Sequence, residues 1–218
     1  MIILYAQKKG GVGKTTLAVH HAVHLFDLGY SVALLDADEQ RQAAEWATEA
    51  ESNITIAAVT DADDAYVTAQ DLESRHDFTI IDGPATLGEA TRALMTLSDL
   101  ALIPMGPSIL DLRATDKVER NICTSRQISG NPARVAIVLN KVHQRTRLTR
   151  ETIAAAADLG IDVLETRVRD LQAFPDAAQQ ATVVTRLPKN YLGAHRAQSD
   201  LEQLFSQLHI SLEKVAHG

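Results

Sequence analysis

A glycine-rich loop between an apolar strand and a helix is the feature that most constrains this chain. The run from Lys8 to Thr16 reads KKGGVGKTT, and apolar residues 2–6 precede it. Glycines let backbone N–H groups converge on an anion without interference from Cβ atoms. The positive end of the following helix adds to that attraction. The order of strand, glycine loop and helix therefore predicts a phosphate-binding loop.

Within this loop the side chains have different expected roles. Lys14 is expected to reach the β- and γ-phosphates, and the Thr15 hydroxyl is expected to contact Mg²⁺. The ordinary spacing Gly-x-x-x-x-Gly-Lys-Thr has glycine at position 8, where this chain has a lysine, and a second lysine stands directly before the glycines. The residues predicted to contact the nucleotide within one chain are Gly10, Gly11, Val12, Gly13, Lys14, Thr15 and Thr16.

This variant of the loop resembles the deviant Walker A loop of the ParA/MinD family of dimerising ATPases. By that resemblance Lys9 enters the partner's site in an ATP-bound homodimer and contacts its phosphates, whereas Lys8 is expected to be solvated. The resemblance implies that ATP and Mg²⁺ are the cofactors. It also implies that Lys9 and Lys14 both act in ATP hydrolysis.

Asp36 and Asp38 directly follow an apolar run at residues 31–35. Carboxylates at the carboxyl end of a parallel strand are placed to act on a bound nucleotide. Residues 36–40 resemble the family's Asp-x-Asp-x-Gln segment. This implies that Asp38 positions the attacking water and that Asp36 supports either the Mg²⁺ shell or the loop. The two acids also suit the start of the following helix, and both roles are compatible.

A second acidic strand end is found at Asp82, after the apolar residues 78–81. An aspartate at a strand end, downstream of a phosphate loop, is typical of a Walker B motif and predicts that Asp82 holds Mg²⁺. Residues 83–85 resemble the family's second switch segment, a loop that responds to the γ-phosphate.

Strand and helix patterns alternate along the chain without a repeat or linker. The alternation predicts a single α/β domain over residues 1–218, a P-loop fold with a mainly parallel sheet covered by helices on both faces. The predicted strands are 2–6, 31–35, 53–59, 78–82, 100–105, 134–140 and 164–168. The predicted helices are 15–28, 41–51, 61–74, 111–128 and 190–208.

The formal net charge of −7 argues against indiscriminate nucleic-acid binding. Residues 1–109 hold 6 Lys and Arg against 16 Asp and Glu, whereas residues 110–218 hold 15 against 12. Such a difference can mark an anion-binding face or only an uneven solvated surface. The single cysteine suits a reducing cytosol, and no apolar run approaches the length of a membrane span.

The densest basic run lies within residues 141–150, and further arginines follow the last predicted strand. Arg and Lys contacts to phosphates give DNA binding that is independent of sequence and sensitive to salt. For each arginine the alternative is a solvated surface side chain. Asn140, at the end of a predicted strand, is a candidate adenine contact, with a solvated loop residue as the alternative. Residues 174–184 loosely resemble the family's late segment, which lies near the adenine and the dimer interface. The candidate DNA contacts are Arg145, Arg147, Arg167, Arg169 and Arg186.

The resemblance to ParA/MinD ATPases covers essentially the whole chain, and the short length resembles the small, ParF-like ParA subgroup. It implies a cytoplasmic, nucleoid-associated ATPase that binds DNA nonspecifically as a dimer and segregates or spaces a plasmid, a chromosome or a large complex. A ParB-like adaptor on the cargo would stimulate hydrolysis. One alternative is a MinD-like membrane-cycling ATPase, although the tail from residue 204 has few cations. Another is a metabolic P-loop amidase or synthetase.

Overall fold

A seven-stranded parallel sheet forms the centre of the molecule. The computed structural model describes residues 1–86, 88–109, 112, 134–143, 147–158 and 161–216, with side chains through residue 209. The strands lie in the order β3-β2-β4-β1-β5-β6-β7, and each neighbouring pair is parallel. In chain order they are β1 (Ile2–Tyr5), β2 (Val32–Asp36), β3 (Thr55–Ala58), β4 (Phe78–Asp82), β5 (Leu100–Met105), β6 (Arg134–Val142) and β7 (Asp162–Arg169). The predicted α/β class with a parallel sheet is confirmed.

Helices cover the sheet on both sides. In the described ranges they are α1 (Lys14–Asp27), α2 (Gln42–Ala50), α3 (Ala62–Arg75), α4 (Glu89–Leu97), α5 (Arg147–Asp158), α6 (Ala173–Gln179) and α7 (Ala194–Ala216). The helix predicted over residues 111–128 lies outside the described residues apart from Leu112. None of the described helices combines the length and apolarity needed to cross a bilayer.

The two faces of the sheet carry separate apolar cores because successive strand residues point to opposite sides. Along β1, Ile3 and Tyr5 belong to the core shared with α1, α2 and α7. Ile2 and Leu4 belong to the core shared with α3 and α4. All four side chains are fully buried. This explains why β1 is an unbroken apolar run, as strands covered on both faces are.

β4 lies between β1 and β2, although it follows both of them in the chain. In the register of these strands, Asp82 is paired with Tyr5 on one side and with Asp36 on the other. The carboxyl ends of three adjacent strands therefore meet at one edge. This edge holds the glycine loop after β1 and both acidic strand ends, which is where ligands of open parallel sheets bind.

The last helix begins at Ala194, four residues later than its sequence pattern predicts. Two turns precede it: the Tyr191 N–H donates to the Pro188 carbonyl at 2.8 Å, and the Ala194 N–H donates to the Tyr191 carbonyl at 3.1 Å. Gly193 has a φ of +83°, which L side chains rarely adopt. These turns use the residues that would otherwise have formed the first turn of the helix.

Candidate nucleotide-binding site

The glycine loop passes from β1 into α1 through two left-handed glycines. Gly11 has a φ of +72° and Gly13 a φ of +92°, conformations that glycine adopts without strain. The Leu17 N–H donates to the Gly13 carbonyl at 3.0 Å, which closes the first turn of α1. A Cβ on Gly10 or Gly11 would meet nothing within 4 Å, so this part of the loop faces open space. The geometry fits the predicted phosphate loop.

The lysines of the loop differ in burial. Lys14, the first residue of α1, is 8% exposed, whereas Lys9 is exposed. The positive charge of Lys14 also lowers the pKa of Asp82, although burial outweighs that effect. Lys14 therefore belongs to the interior of its own site, and Lys9 lies on the outer side of the loop.

Thr15 and Asp82 form the part of the site suited to a metal ion. The Thr15 hydroxyl donates to Asp82 Oδ2 at 2.6 Å. Asp82 Oδ1 is buried and has no hydrogen-bond partner among the described residues. Burial raises the pKa of Asp82 to about 7, and the neighbouring charge of Asp36 adds to the rise. An unpaired buried carboxylate oxygen beside a hydroxyl is a donor set that Mg²⁺ prefers, so these residues fit the predicted ion.

Asp36 is fully buried, and its carboxylate is engaged by backbone N–H groups. Oδ1 accepts from the Asp38 N–H at 3.0 Å, and Oδ2 accepts from the Ala44 N–H at 2.9 Å, near the start of α2. Burial raises the pKa of Asp36, and the two N–H groups oppose that rise. These contacts hold the loop that follows β2, and the predicted role of Asp36 in the Mg²⁺ shell stays a prediction.

Asp38 joins the loops that follow β2 and β4. Its Oδ1 accepts from the Gln40 N–H at 3.0 Å, and its Oδ2 accepts from the Ala85 N–H at 3.0 Å. The side chain is partly exposed, which leaves it accessible to a water molecule. The sequence singled out Asp38, but it gave no sign of Ala85 as its partner.

Asn140 lies beside the loop, at a cavity of about 160 Å³. Its carboxamide is buried, and Nδ2 donates to the Val12 carbonyl at 2.8 Å. Phe174 and Pro175, which resemble the family segment near the adenine, line the same cavity. The cavity therefore adjoins both the phosphate loop and the predicted base-binding segment. Adenine contact by Asn140 stays a prediction.

Two of the candidate DNA-binding arginines are neutralised within the chain. Arg169 forms a bidentate pair with Asp200, with Nη2 to Oδ1 at 2.7 Å and Nε to Oδ2 at 2.9 Å. Arg186 bonds to Asp27 at 3.0 Å and to Glu51 at 2.7 Å. Asp27 and Glu51 lie at the C-terminal ends of α1 and α2, whereas Arg169 ends β7. The structure therefore does not bring Arg169 and Arg186 to one face.

The other candidate arginines differ among themselves. Arg147 is highly exposed and pairs with Glu151 one turn along α5, with Nε to Oε1 at 2.6 Å. Arg167 has a buried Nε without a hydrogen-bond partner among the described residues, and it borders a cavity of about 350 Å³. Arg145 lies outside the described residues. Arg167 is thus the described candidate that no acidic side chain neutralises.

His20 is a contact of the site that the sequence did not single out. Val184 N–H donates to its Nε2 at 3.1 Å, so the proton is on Nδ1, which donates to the Thr16 carbonyl at 2.7 Å. The ring packs edge-on against Trp46 and Phe174. Burial lowers the pKa of His20 to about 4, so the ring is neutral at pH 7. It links the end of the phosphate loop to the segment that precedes α7.

Comparison with known proteins supports this arrangement. Residues 3–184 match the family model of the CobQ/CobB/MinD/ParA nucleotide binding domain. The chain belongs to this family. The resemblance inferred from residues 8–16 is therefore confirmed.

Relatives in the family include positioning proteins. The chain is 33% identical over 188 residues to the maintenance of carboxysome distribution protein A of Halothiobacillus neapolitanus, covering 84% of this chain and 85% of that protein. This chain therefore belongs to the same family as ParA/MinD-type positioning ATPases.

Solved structures share the fold. A Cyanothece McdA bound to ATP has a TM-score of 0.75 and 14% identity, covering 95% of this chain and 96% of that chain. The MinD protein of Pyrococcus horikoshii OT3 bound to Mg-ADP has a TM-score of 0.70 and 20% identity, covering 99% and 97%. At such identities the likeness shows the fold alone.

Proposed function

We propose that this chain is a ParA-type positioning ATPase that binds ATP with Mg²⁺, pairs with a second copy and hydrolyses ATP to ADP and phosphate. The observation that carries the proposal is the contrast in burial between Lys14 and Lys9. Lys14 is buried in its own site, whereas Lys9 is exposed on the same loop. An exposed lysine beside one phosphate site can reach the phosphates of a second nucleotide when another copy of the chain faces that site.

Nucleotide binding depends on the glycine loop and on the side chains of Thr15 and Asp82. The N–H groups of residues 10–13 face the phosphates, and the Lys14 charge lies against them. Thr15 and Asp82 would hold Mg²⁺, which would neutralise negative charge on the phosphate oxygens. Asp36 keeps the loop after β2 in place through its two backbone hydrogen bonds.

Hydrolysis uses Asp38 and the lysines. Asp38 accepts a hydrogen bond from the attacking water, whose oxygen adds to the γ-phosphorus as the bond to the ADP oxygen breaks. Both protons of the water leave with the phosphate, which is released as H₂PO₄⁻. Lys9 of each subunit reaches the other subunit's phosphates and stabilises the charge that develops there, as an arginine finger does. The requirement for Lys9 from a second copy makes hydrolysis depend on dimerisation.

The dimer is proposed to bind DNA without sequence preference and to respond to a ParB-like adaptor on its cargo. Pairing two copies doubles the phosphates contacted at once and makes the second contact effectively intramolecular. Because Arg169 and Arg186 have acidic partners, Arg167 is the stronger of the described DNA candidates. The relative that maintains carboxysome distribution favours a large assembly as the cargo. Such a protein acts in the cytoplasm on the nucleoid.

The test is co-sedimentation of the purified chain with plasmid DNA and, separately, with anionic vesicles, each with ATP or ADP. The proposal expects DNA binding with ATP that is lost with ADP and falls steeply with salt. Vesicle binding without DNA binding would indicate a membrane-cycling ATPase. ATP turnover that requires an organic acid and ammonia or glutamine would indicate an amidase or synthetase.

A further inference from the structure

Asn140 contacts the phosphate loop through a side-chain amide whose orientation is fixed by both of its partners. The Val12 carbonyl can only accept, so the group 2.8 Å from it is the amide nitrogen. The Lys141 N–H can only donate, so the group 2.9 Å from it is the amide oxygen. Lys141 has a φ of +54°, a backbone conformation that is uncommon for residues other than glycine.

The bond to Val12 determines which way the next N–H group points. In a trans peptide the carbonyl of one residue and the N–H of the next lie on opposite sides of the bond. Asn140 holds the Val12 carbonyl on the side of the loop facing β6, so the Gly13 N–H is directed to the opposite side. Phosphate loops bind anions through N–H groups presented in this manner.

Gly13 packs directly against the same amide. A Cβ on Gly13 would lie 2.3 Å from Asn140 Nδ2, far inside contact distance. The φ of +92° at Gly13 adds a second reason for glycine. Asn140 and Gly13 therefore fit each other closely, and a shift of either one moves the other.

We propose that Asn140 is a positioning residue for the phosphate loop and that it supports the binding of the phosphate chain independently of the base. The proposal rests on the nucleotide-binding function proposed above. It assigns Asn140 to the loop, in addition to or instead of the adenine contact predicted from the sequence. If Asn140 supports phosphate binding, removing its amide should weaken the binding of any ligand that carries the phosphate chain to the same extent, with or without a base.

The test compares ATP with inorganic tripolyphosphate, both with Mg²⁺, by calorimetry. Asn140→Leu keeps the approximate volume and adds no charge, but it removes the donor to Val12. Without that donor the Gly13 N–H is no longer held toward the phosphates, so we expect both ligands to bind roughly tenfold or more weakly. Phe174→Leu is the matched control: it alters the base side of the cavity, so it should weaken ATP and leave tripolyphosphate unchanged.

A second measurement does not depend on any ligand. Hydrogen–deuterium exchange of the peptide containing residues 8–16 should be faster in the ligand-free Asn140→Leu variant than in the parent. Should that variant fail to fold, Asn140→Ala serves for both measurements. The proposal is overturned if ATP binds more weakly while tripolyphosphate and loop exchange stay unchanged, because Asn140 is then only a base contact. A parent chain that binds neither ligand would reject the proposed function, and the exchange result would still decide the role of Asn140.

Discussion

The Asp38 carboxylate accepts a hydrogen bond from the Ala85 N–H at 3.0 Å, and this contact joins two loops that are 47 residues apart. One loop follows β2 and the other follows β4, and both lie at the edge of the sheet that holds the glycine loop. A water molecule that bonds to Asp38 during hydrolysis would share this carboxylate with the Ala85 N–H, because each carboxylate oxygen can accept more than one hydrogen bond. The state of the second loop is thereby coupled to the group proposed to position the water.

Replacing Asp38 separates binding from hydrolysis. We expect Asp38→Ala to bind ATP and dimerise, because the phosphate contacts lie elsewhere, and to hydrolyse ATP about 100-fold more slowly, in the range typical of positioned acid–base groups. Steady-state phosphate release and calorimetry measure the two effects. Glu39→Ala alters an exposed neighbour and should match the parent. An Asp38 variant that no longer dimerises with ATP would show that Asp38 is structural.

Lys14 is expected to be indispensable for nucleotide binding. Lys14→Ala removes the buried charge opposite the β- and γ-phosphates, and loss of such a charged hydrogen bond costs about 1.5–3 kcal/mol or more. ATP affinity measured by calorimetry should fall by about 100-fold. Lys8→Ala removes an exposed charge of the same loop and serves as the control. Unchanged affinity in the Lys14 variant would mean that the loop is not the site.

Lys9 is expected to act between subunits. Lys9→Ala should bind ATP as a monomer with little change, but form less dimer with ATP and Mg²⁺ and hydrolyse ATP at least tenfold more slowly. Sedimentation velocity with ATP or ADP measures dimerisation, again with Lys8→Ala beside it. If the Lys9 variant dimerises and hydrolyses like the parent, the cross-subunit role is wrong.

His20 predicts a loss of stability in acid. Its pKa is about 4 in the folded chain and about 6.5 when unfolded, so between these values the unfolded state binds more protons. The free energy of unfolding should therefore fall as pH falls from 6.5 to 4, by up to about 1.4 kcal/mol per pH unit from this residue. When the free energy of unfolding is measured with urea at several pH values, it should depend less steeply on pH in His20→Phe than in the parent, by nearly one proton.

The exposed His195 provides the matched control for that experiment. In His195→Gln the free energy of unfolding should change with pH as steeply as it does in the parent. A His20→Phe variant with the full parental slope would show that the acid sensitivity arises from other groups, such as the buried His21. At pH 7 the His20 variant should also be less stable, because the Thr16 carbonyl and the Val184 N–H lose their partner.

Replacing Arg167 and replacing Arg169, which both lie on β7, should have different effects. Arg167→Ala is expected to weaken ATP-dependent DNA binding evenly across unrelated sequences and to reduce its salt dependence. Arg169→Ala leaves the largely buried Asp200 without its cation, so it should lower the free energy of unfolding by about 1–3 kcal/mol. Co-sedimentation with DNA across a salt series measures the effect on DNA binding, and urea unfolding measures the effect on stability. Equal DNA binding by Arg167→Ala and the parent would exclude that contact.

The sequence predicted those features that a short stretch of chain encodes. The glycine loop, the acidic strand ends at Asp36 and Asp82 and the alternation of strands and helices each depend on neighbouring residues. Contacts between distant residues were not predictable in this way. Asn140 and Val12 are 128 residues apart, so no local pattern could show that the amide faces the loop.

Counting charges along the sequence could not identify a basic face, because ion pairs also join distant residues. The arginine-rich second half of the chain suggested a basic face, but Arg186 pairs with Asp27, 159 residues earlier. A count of cations in one half cannot show that the acids of the other half neutralise some of them. Which arginines remain available for phosphates depends on the tertiary structure.

The position of β4 between β1 and β2 also fixes the order in which the site can be assembled during translation. When a ribosome has released the chain only as far as residue 77, the glycine loop, Asp36 and Asp38 have emerged, but the strand that separates β1 from β2 has not. Thr15 then has no Asp82 to bond with, and Asp38 has no Ala85. If Thr15 and Asp82 hold Mg²⁺ as proposed, the nascent protein acquires its magnesium site only after the second acidic strand has inserted.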